Sequence, residues 1–81
     1  MSTSEKDSKS VLIIGICGGL AQILTRIILK NNPDWTVYGV DSRDTSHLLK
    51  IRGLTAKKMR YSRGNFENLF RENKFDYVYH L

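Results

Sequence analysis

Apolar and polar positions alternate in blocks that predict strands and helices in turn. Residues 11–16 are apolar and mostly β-branched, which is typical of a strand covered on both faces. Residues 20–30 have apolar positions at helical spacing and predict a helix. Its core-facing stripe is predicted to be Leu20, Ile23, Leu24, Ile27 and Ile28. Pro33 and the Asn residues before it end this helix.

The second half of the chain continues the alternation. We predict strands at residues 35–40, 57–62 and 75–81, a short helix at 47–52, and a further helix at 66–73 that Asn65 caps. Strands that alternate with helices predict an α/β fold built on a parallel sheet, with right-handed crossovers.

The length of 81 residues allows one globular unit. Residues 1–10 are polar and rich in Ser and Lys, so we interpret them as a disordered lead-in to a domain at 11–81. They lack the apolar segment of a signal peptide, and no apolar run is long enough to cross a bilayer. A single cysteine, Cys17, favours a reducing, cytoplasmic compartment.

The formal net charge is +5, but the Lys and Arg residues are scattered along the chain. No aromatic residues are interleaved with them as in a nucleic-acid-binding surface. We therefore interpret the charges as solvated faces and expect neither nucleic acid nor membrane as a partner.

A glycine-rich turn lies between the first predicted strand and helix, with the pattern Gly15-x-x-Gly18-x-x-Ala21. Glycines at this place let the chain turn and let the backbone approach a pyrophosphate, and the free N–H groups of the helix start favour an anion. A turn that only joins a strand to a helix is the alternative. The candidate cofactor-binding residues here are Gly15, Cys17, Gly18, Gly19 and Leu20.

Asp41 follows the second predicted strand, which brings it beside the glycine turn. A carboxylate there can accept hydrogen bonds from both ribose hydroxyls of an adenosine, and it disfavours the 2′-phosphate of NADP. Arg43 favours NADP instead, because a guanidinium pairs with a phosphate such as the 2′-phosphate of that cofactor. Asp41, Ser42 and Arg43 are thus candidate cofactor residues, and a solvated loop carboxylate is the alternative interpretation.

Asn65 and Phe66 follow the third predicted strand and could contact an adenine ring, although a helix cap and a core aromatic explain them equally well. Cys17, His47 and His80 have no metal-ligand spacing. Backbone amides could lower the pKa of Cys17, but a small residue that packs in the turn is the commoner case. No Tyr-x-x-x-Lys motif occurs, so no catalytic residue is assigned.

Four segments together resemble the N-terminal part of the extended short-chain dehydrogenase/reductase family, the NAD-dependent epimerases and dehydratases. They are 11–21, 38–41, 63–65 and 76–81. Ala21 stands for the last glycine of the family's turn, and Asn65 stands where the family usually has an Asp. The resemblance implies a partial Rossmann fold with strand order 3-2-1-4, with NAD as cofactor and NADP as the alternative. It also implies a nucleotide-sugar substrate for the full-length protein.

In members of the family, the catalytic Tyr-x-x-x-Lys lies further along the chain than the position that matches Leu81. The family's loop along the cofactor begins just after this position, so Leu81 is a further candidate cofactor residue. The resemblance therefore implies a fragment or truncated product that is inactive alone. We expect the fourth strand to have an open edge, through which the chain self-associates. A small non-catalytic nucleotide-binding or protein-interaction module is the alternative function.

Overall fold

A computed structural model describes residues 8–81, which form a four-stranded parallel sheet in the order β3-β2-β1-β4. This confirms the predicted fold class and strand order. The elements are β1 (Ser10–Ile14), α1 (Gly19–Asn31), β2 (Thr36–Asp41), a short 3₁₀ helix (Ser46–Leu48), β3 (Leu54–Lys58), α2 (Arg63–Glu72) and β4 (Tyr77–His80). The predicted lead-in falls mainly on residues 1–7, outside the described residues, and Ser10 already belongs to β1.

β1 lies at the centre of the sheet and is covered on both faces, as its continuous apolar sequence predicts. One core cluster lies on the α1 face, and a second lies on the α2 face. The first consists of Val11, Ile13, Ile16, Ala21, Ile28, Val37, Leu48 and Leu54. The second consists of Leu12, Ile14, Val40, Met59 and Leu69.

The buried face of α1 differs from the predicted stripe. Ala21, Thr25 and Ile28 are buried, whereas Leu20, Ile23 and Ile27 are 69%, 55% and 51% exposed. Thr25 can enter the core because its hydroxyl donates to the carbonyl of Ala21 at 2.8 Å, which satisfies the polar group within the helix. The small side chain of Ala21 also suits a close approach to the sheet. An apolar row therefore remains on the surface of α1.

Three other predicted elements are shifted. The third strand is Leu54–Lys58 rather than 57–62, because buried Leu54 starts the pairing opposite Val37. The predicted helix at 47–52 is reduced to the 3₁₀ helix, where the Asp44 carboxylate accepts bonds from both the N–H and hydroxyl of Ser46. Such a side-chain-to-backbone turn competes with a regular helix.

α2 begins at Arg63, three residues earlier than predicted, and its cap is Ser62. The Ser62 hydroxyl accepts from the backbone N–H of Asn65 at 3.2 Å, so the prediction of Asn65 as cap is wrong. The fourth strand is Tyr77–His80 rather than 75–81, and Phe75 packs against the second core cluster instead.

Within the described residues, no helix has the length and apolar character needed to span a membrane.

Candidate functional site

The glycine turn is held against β2 by backbone hydrogen bonds. The N–H groups of Gly15 and Ile16 both donate to the carbonyl of Val40, at 2.8 and 3.1 Å. Gly15 has a φ of +92°, and a Cβ on it would lie 2.8 Å from the carbonyl oxygen of Leu81. The position therefore requires glycine for its backbone conformation and for the close approach of Leu81, the residue after β4.

A second glycine, which the sequence analysis did not single out, lets the turn sit close to β2. Ile16 is fully buried, and a Cβ on Gly39 would overlap its side chain. The apolar side chain of Ile16 thus fills the space above Gly39 and anchors the turn. The signal in the sequence was a glycine inside a β-strand, which often marks such an approach.

The start of α1 presents an open backbone surface. Gly18 is its N-cap and provides no side-chain hydrogen bond, and the first turn carries no acidic residue. A Cβ on Gly19 would meet nothing within 4 Å, and Leu20 is exposed. N–H groups of an uncapped first turn, together with the helix dipole, are suited to an anion such as a phosphate.

Asp41 ends β2 directly beside this turn. Its carboxylate is 2% exposed and accepts hydrogen bonds from the backbone N–H of Cys17 at 2.9 Å and of Arg43 at 2.9 Å. The Arg43 guanidinium adds two more, from Nε at 2.9 Å and Nη2 at 3.0 Å. The interpretation of Asp41 as a solvated loop residue is therefore wrong.

The Arg43 side chain also determines the ionisation of Asp41. Its hydrogen bonds are the main reason that the pKa of Asp41 lies well below its usual range, against the opposing effect of burial. The same bonds raise the pKa of the guanidinium. Asp41 is therefore an anion at neutral pH, and the Arg43 side chain above it is 64% exposed. Ser42, between the two, is exposed as well.

Cys17 contributes its backbone rather than its thiol. Burial, and then the negative charge of Asp41, raise the pKa of the thiol. This is opposite to the lowering that amides in the turn could have produced. The Sγ atom donates to the carbonyl of Asp44 at 3.4 Å. The thiol therefore acts as a small packing group.

Asn65 and Phe66 lie in the first turn of α2. The Asn65 side-chain Nδ2 donates to the carbonyl of Arg60 at 2.8 Å, and Phe66 packs against the second core cluster. The packing of Phe66 is what the alternative interpretation expects, and an adenine contact of its remaining exposed surface stays a prediction. Leu81 is brought to the glycine turn, where its N–H donates to Ile14 at 3.0 Å and its carbonyl faces Gly15.

Tyr61 is a site residue that the sequence analysis missed. Its hydroxyl lies 3.5 Å from the Val40 carbonyl, and its ring is 5.5 Å from that of Phe66. Burial raises the pKa of the phenol, and the Asp41 carboxylate adds to the effect. The available signal was an aromatic residue in the loop after β3, at the same sheet edge as Asp41.

Within residues 8–81, no group of three or more His, Cys, Asp and Glu side chains could hold a metal ion. The candidate site of this part of the chain consists of the glycine turn and the Asp41 carboxylate that is bonded to it.

Comparisons with known proteins identify the fold class. No family model matches the chain, and no curated protein sequence matches it. The crystal structure of ADP-L-glycero-D-manno-heptose-6-epimerase from Helicobacter pylori matches with a TM-score of 0.75 and 20% sequence identity. The match covers 94% of this chain and 27% of that chain, so the chain spans about a quarter of the length of the solved structure. The chain therefore has a Rossmann-like α/β fold, with the strand order 3-2-1-4.

Proposed function

We propose that this chain is the NAD-binding part of an epimerase- or dehydratase-like oxidoreductase. The observation that carries the proposal is the hydrogen bond from Cys17 in the glycine turn to the buried carboxylate of Asp41. It joins an anion-binding helix start to a fixed negative acceptor. In a dinucleotide, a phosphate group is linked to a ribose: the phosphate matches the helix start, and the ribose hydroxyls match the carboxylate acceptor.

The residues fit such a cofactor. The N–H groups of Gly19 and Leu20 at the start of α1 would hold the pyrophosphate, the absence of a side chain at Gly18 would let it approach, and Asp41 would accept the ribose hydroxyls. Tyr61 and Phe66 form an aromatic pair beyond the carboxyl ends of β2 and β3, where an adenine ring could pack. When bound, NAD supplies hydride-transfer chemistry. The role of this chain is to bind and orient the cofactor, and none of its residues is assigned to catalysis.

A nucleotide sugar is the proposed substrate of the full-length protein. The support is the fold shared with an epimerase whose name denotes an ADP-linked heptose. The lone Cys17 supports a reducing compartment such as the cytoplasm.

A non-catalytic nucleotide-binding or protein-interaction module is the second candidate. The exposed apolar row on α1, formed by Leu20, Ile23 and Ile27, favours it. A row of this kind is typical of a surface that contacts another protein segment.

The proposal is tested by calorimetry with NAD on the wild type and on Gly18→Val. A Cβ at Gly18 would have only an ordinary contact, 3.5 Å from the Gly15 carbonyl, so the fold should persist. The valine would nevertheless cover the start of α1, and we expect at least a tenfold loss of affinity.

The matched control is Gly64→Val, a valine in the first turn of α2 at a glycine where a Cβ meets nothing within 4 Å. It should bind NAD like the wild type. Equal affinity of all three proteins for NAD would mean that the phosphate does not bind at the glycine turn.

A further inference from the structure

The Asp41 carboxylate has no acceptor position left in the free protein. Oδ1 accepts from the backbone N–H and the Nε of Arg43, and Oδ2 accepts from Cys17 N–H and the Nη2 of Arg43. A carboxylate offers about four lone-pair positions, two on each oxygen. A ribose hydroxyl therefore has no place on Asp41 while the guanidinium is there.

The four bonds differ in how easily they can be lost. The two backbone donors are fixed by the glycine turn and by the chain that follows β2. The guanidinium belongs to a side chain that is 64% exposed, so water can solvate its charge once it leaves the carboxylate. Arg43 is therefore the partner that can leave.

The position that Arg43 would vacate matches a ribose. Its Nε and Nη2 place one donor on each carboxylate oxygen, in the forked pattern typical of a guanidinium. The two neighbouring hydroxyls of an adenosine ribose are also a pair of donors, one for each oxygen. Departure of the side chain leaves one open acceptor on Oδ1 and one on Oδ2.

We propose that Arg43 is an internal substitute for the ribose: it occupies the diol position on Asp41 in the free protein and swings away when an adenosine nucleotide binds. The proposal rests on the proposed function, because it takes Asp41 as the ribose acceptor. Arg43 is then a positioning residue that keeps the buried carboxylate paired until the ligand arrives. It lowers the affinity for every nucleotide with a free ribose diol.

The probe is ADP-ribose, which has the diol and the pyrophosphate but no nicotinamide. Calorimetry compares the wild-type chain with Arg43→Ala, Arg43→Lys and the control Arg26→Ala, which removes the same charge from an exposed position of α1. We expect Arg43→Ala to bind ADP-ribose at least about twofold more tightly than Arg26→Ala, because the ligand no longer has to displace the guanidinium from the carboxylate. Arg43→Lys should lie between them, because an ammonium cannot bridge both oxygens in the same plane.

A second measurement uses the wild type alone and does not depend on a variant's folding. The ¹⁵N-detected Nε–H signal of Arg43 should be protected from solvent exchange in the free chain and should lose that protection at saturating ADP-ribose. Protection that persists at saturation overturns the exchange, as does Arg43→Ala binding no tighter than the control. If ADP-ribose binds to none of the four proteins, the proposed function is refuted and this inference falls with it.

Discussion

The backbone N–H of Cys17 donates a 2.9 Å hydrogen bond to the carboxylate of Asp41, 24 residues further along the chain. This bond connects the turn after β1 to the end of β2. Because Asp41 is 2% exposed, the bond lies out of competition with water. The turn and the carboxylate are therefore coupled through this bond, and a substitution at either should affect the other.

Asp41→Asn should destabilise the chain at pH 7 by about 1–3 kcal/mol, because it removes a buried charge from its hydrogen-bonding partners. The folded-state pKa of Asp41 is depressed below its unfolded value of about 3.9. Its ionisation therefore stabilises the fold above about pH 4, and this stabilisation is lost as the pH falls towards the folded pKa.

Urea unfolding of both proteins at pH 7 and near pH 2 measures the effect, and the difference between them should shrink at the lower pH. Asp34→Asn, at an exposed carboxylate after α1, is the control and should change little at either pH. An Asp41→Asn cost that is equal at both pH values would contradict the ion pair with Arg43.

Gly15→Ala should destabilise the fold by about 1–3 kcal/mol, since the φ of +92° is unfavourable for alanine and its Cβ would lie 2.8 Å from the Leu81 carbonyl. Gly64→Ala is the matched control in α2, where a Cβ meets nothing within 4 Å. It should be neutral, or stabilising by up to about 1 kcal/mol. Urea denaturation measures both changes, and equal stability of the two variants would argue against the tight approach of Leu81 to the turn.

Asp41→Ala should weaken NAD binding by about ten- to a hundredfold, because hydrogen bonds to a charged acceptor contribute about 1.5–3 kcal/mol. NADP should gain relative to NAD, since the negative charge that disfavours a 2′-phosphate is removed. Calorimetry with both cofactors measures the ratio, with Asp34→Ala as the control. An unchanged ratio would mean that Asp41 is not the ribose acceptor and that Arg43 determines the choice of cofactor.

The purified 81-residue chain should self-associate at high concentration. Among the described residues, β4 pairs with β1 alone, and Tyr77, Val78 and Tyr79 are each more than 40% exposed. In a purified sample, the partner for the open edge of β4 is the same edge of a second copy.

Light scattering with hydrogen exchange on the β4 amides tests this association. Val78→Lys should weaken it, whereas Thr55→Lys, which puts the same charge on β3 at the other edge of the sheet, should not. A monomer at high concentration, with slowly exchanging β4 amides, would rule out association through this edge.

The resemblance to the dehydrogenase/reductase family was sufficient to predict the sheet order, and the residues themselves predicted the meeting of the glycine turn with Asp41. That meeting depends on backbone topology: neighbouring parallel strands end at one edge, and the glycines mark where the chain turns. The buried face of α1 could not be predicted, because Thr25 is polar by composition yet satisfies its hydroxyl inside the helix.

The ion pair of Arg43 with Asp41 and the location of Tyr61 were also beyond the sequence. The sequence identifies Arg43 as a possible phosphate ligand, but in the structure its side-chain conformation places the guanidinium on the Asp41 carboxylate instead. The path of the loop after β3 decides that Tyr61 reaches the Val40 carbonyl. Neither choice leaves a periodic pattern in the residues.

The carbonyl of Val40 accepts hydrogen bonds from the N–H groups of both Gly15 and Ile16, so at these two bonds the turn is held by main-chain atoms and not by side chains. Any strand-forming residue that fits the buried space at position 40 would supply the same main-chain oxygen in the same place. Most neighbouring side chains can consequently be exchanged over evolutionary time without displacing the turn, provided that the close approaches at Gly15 and Gly39 are kept. Such an architecture is expected to outlast recognisable sequence similarity.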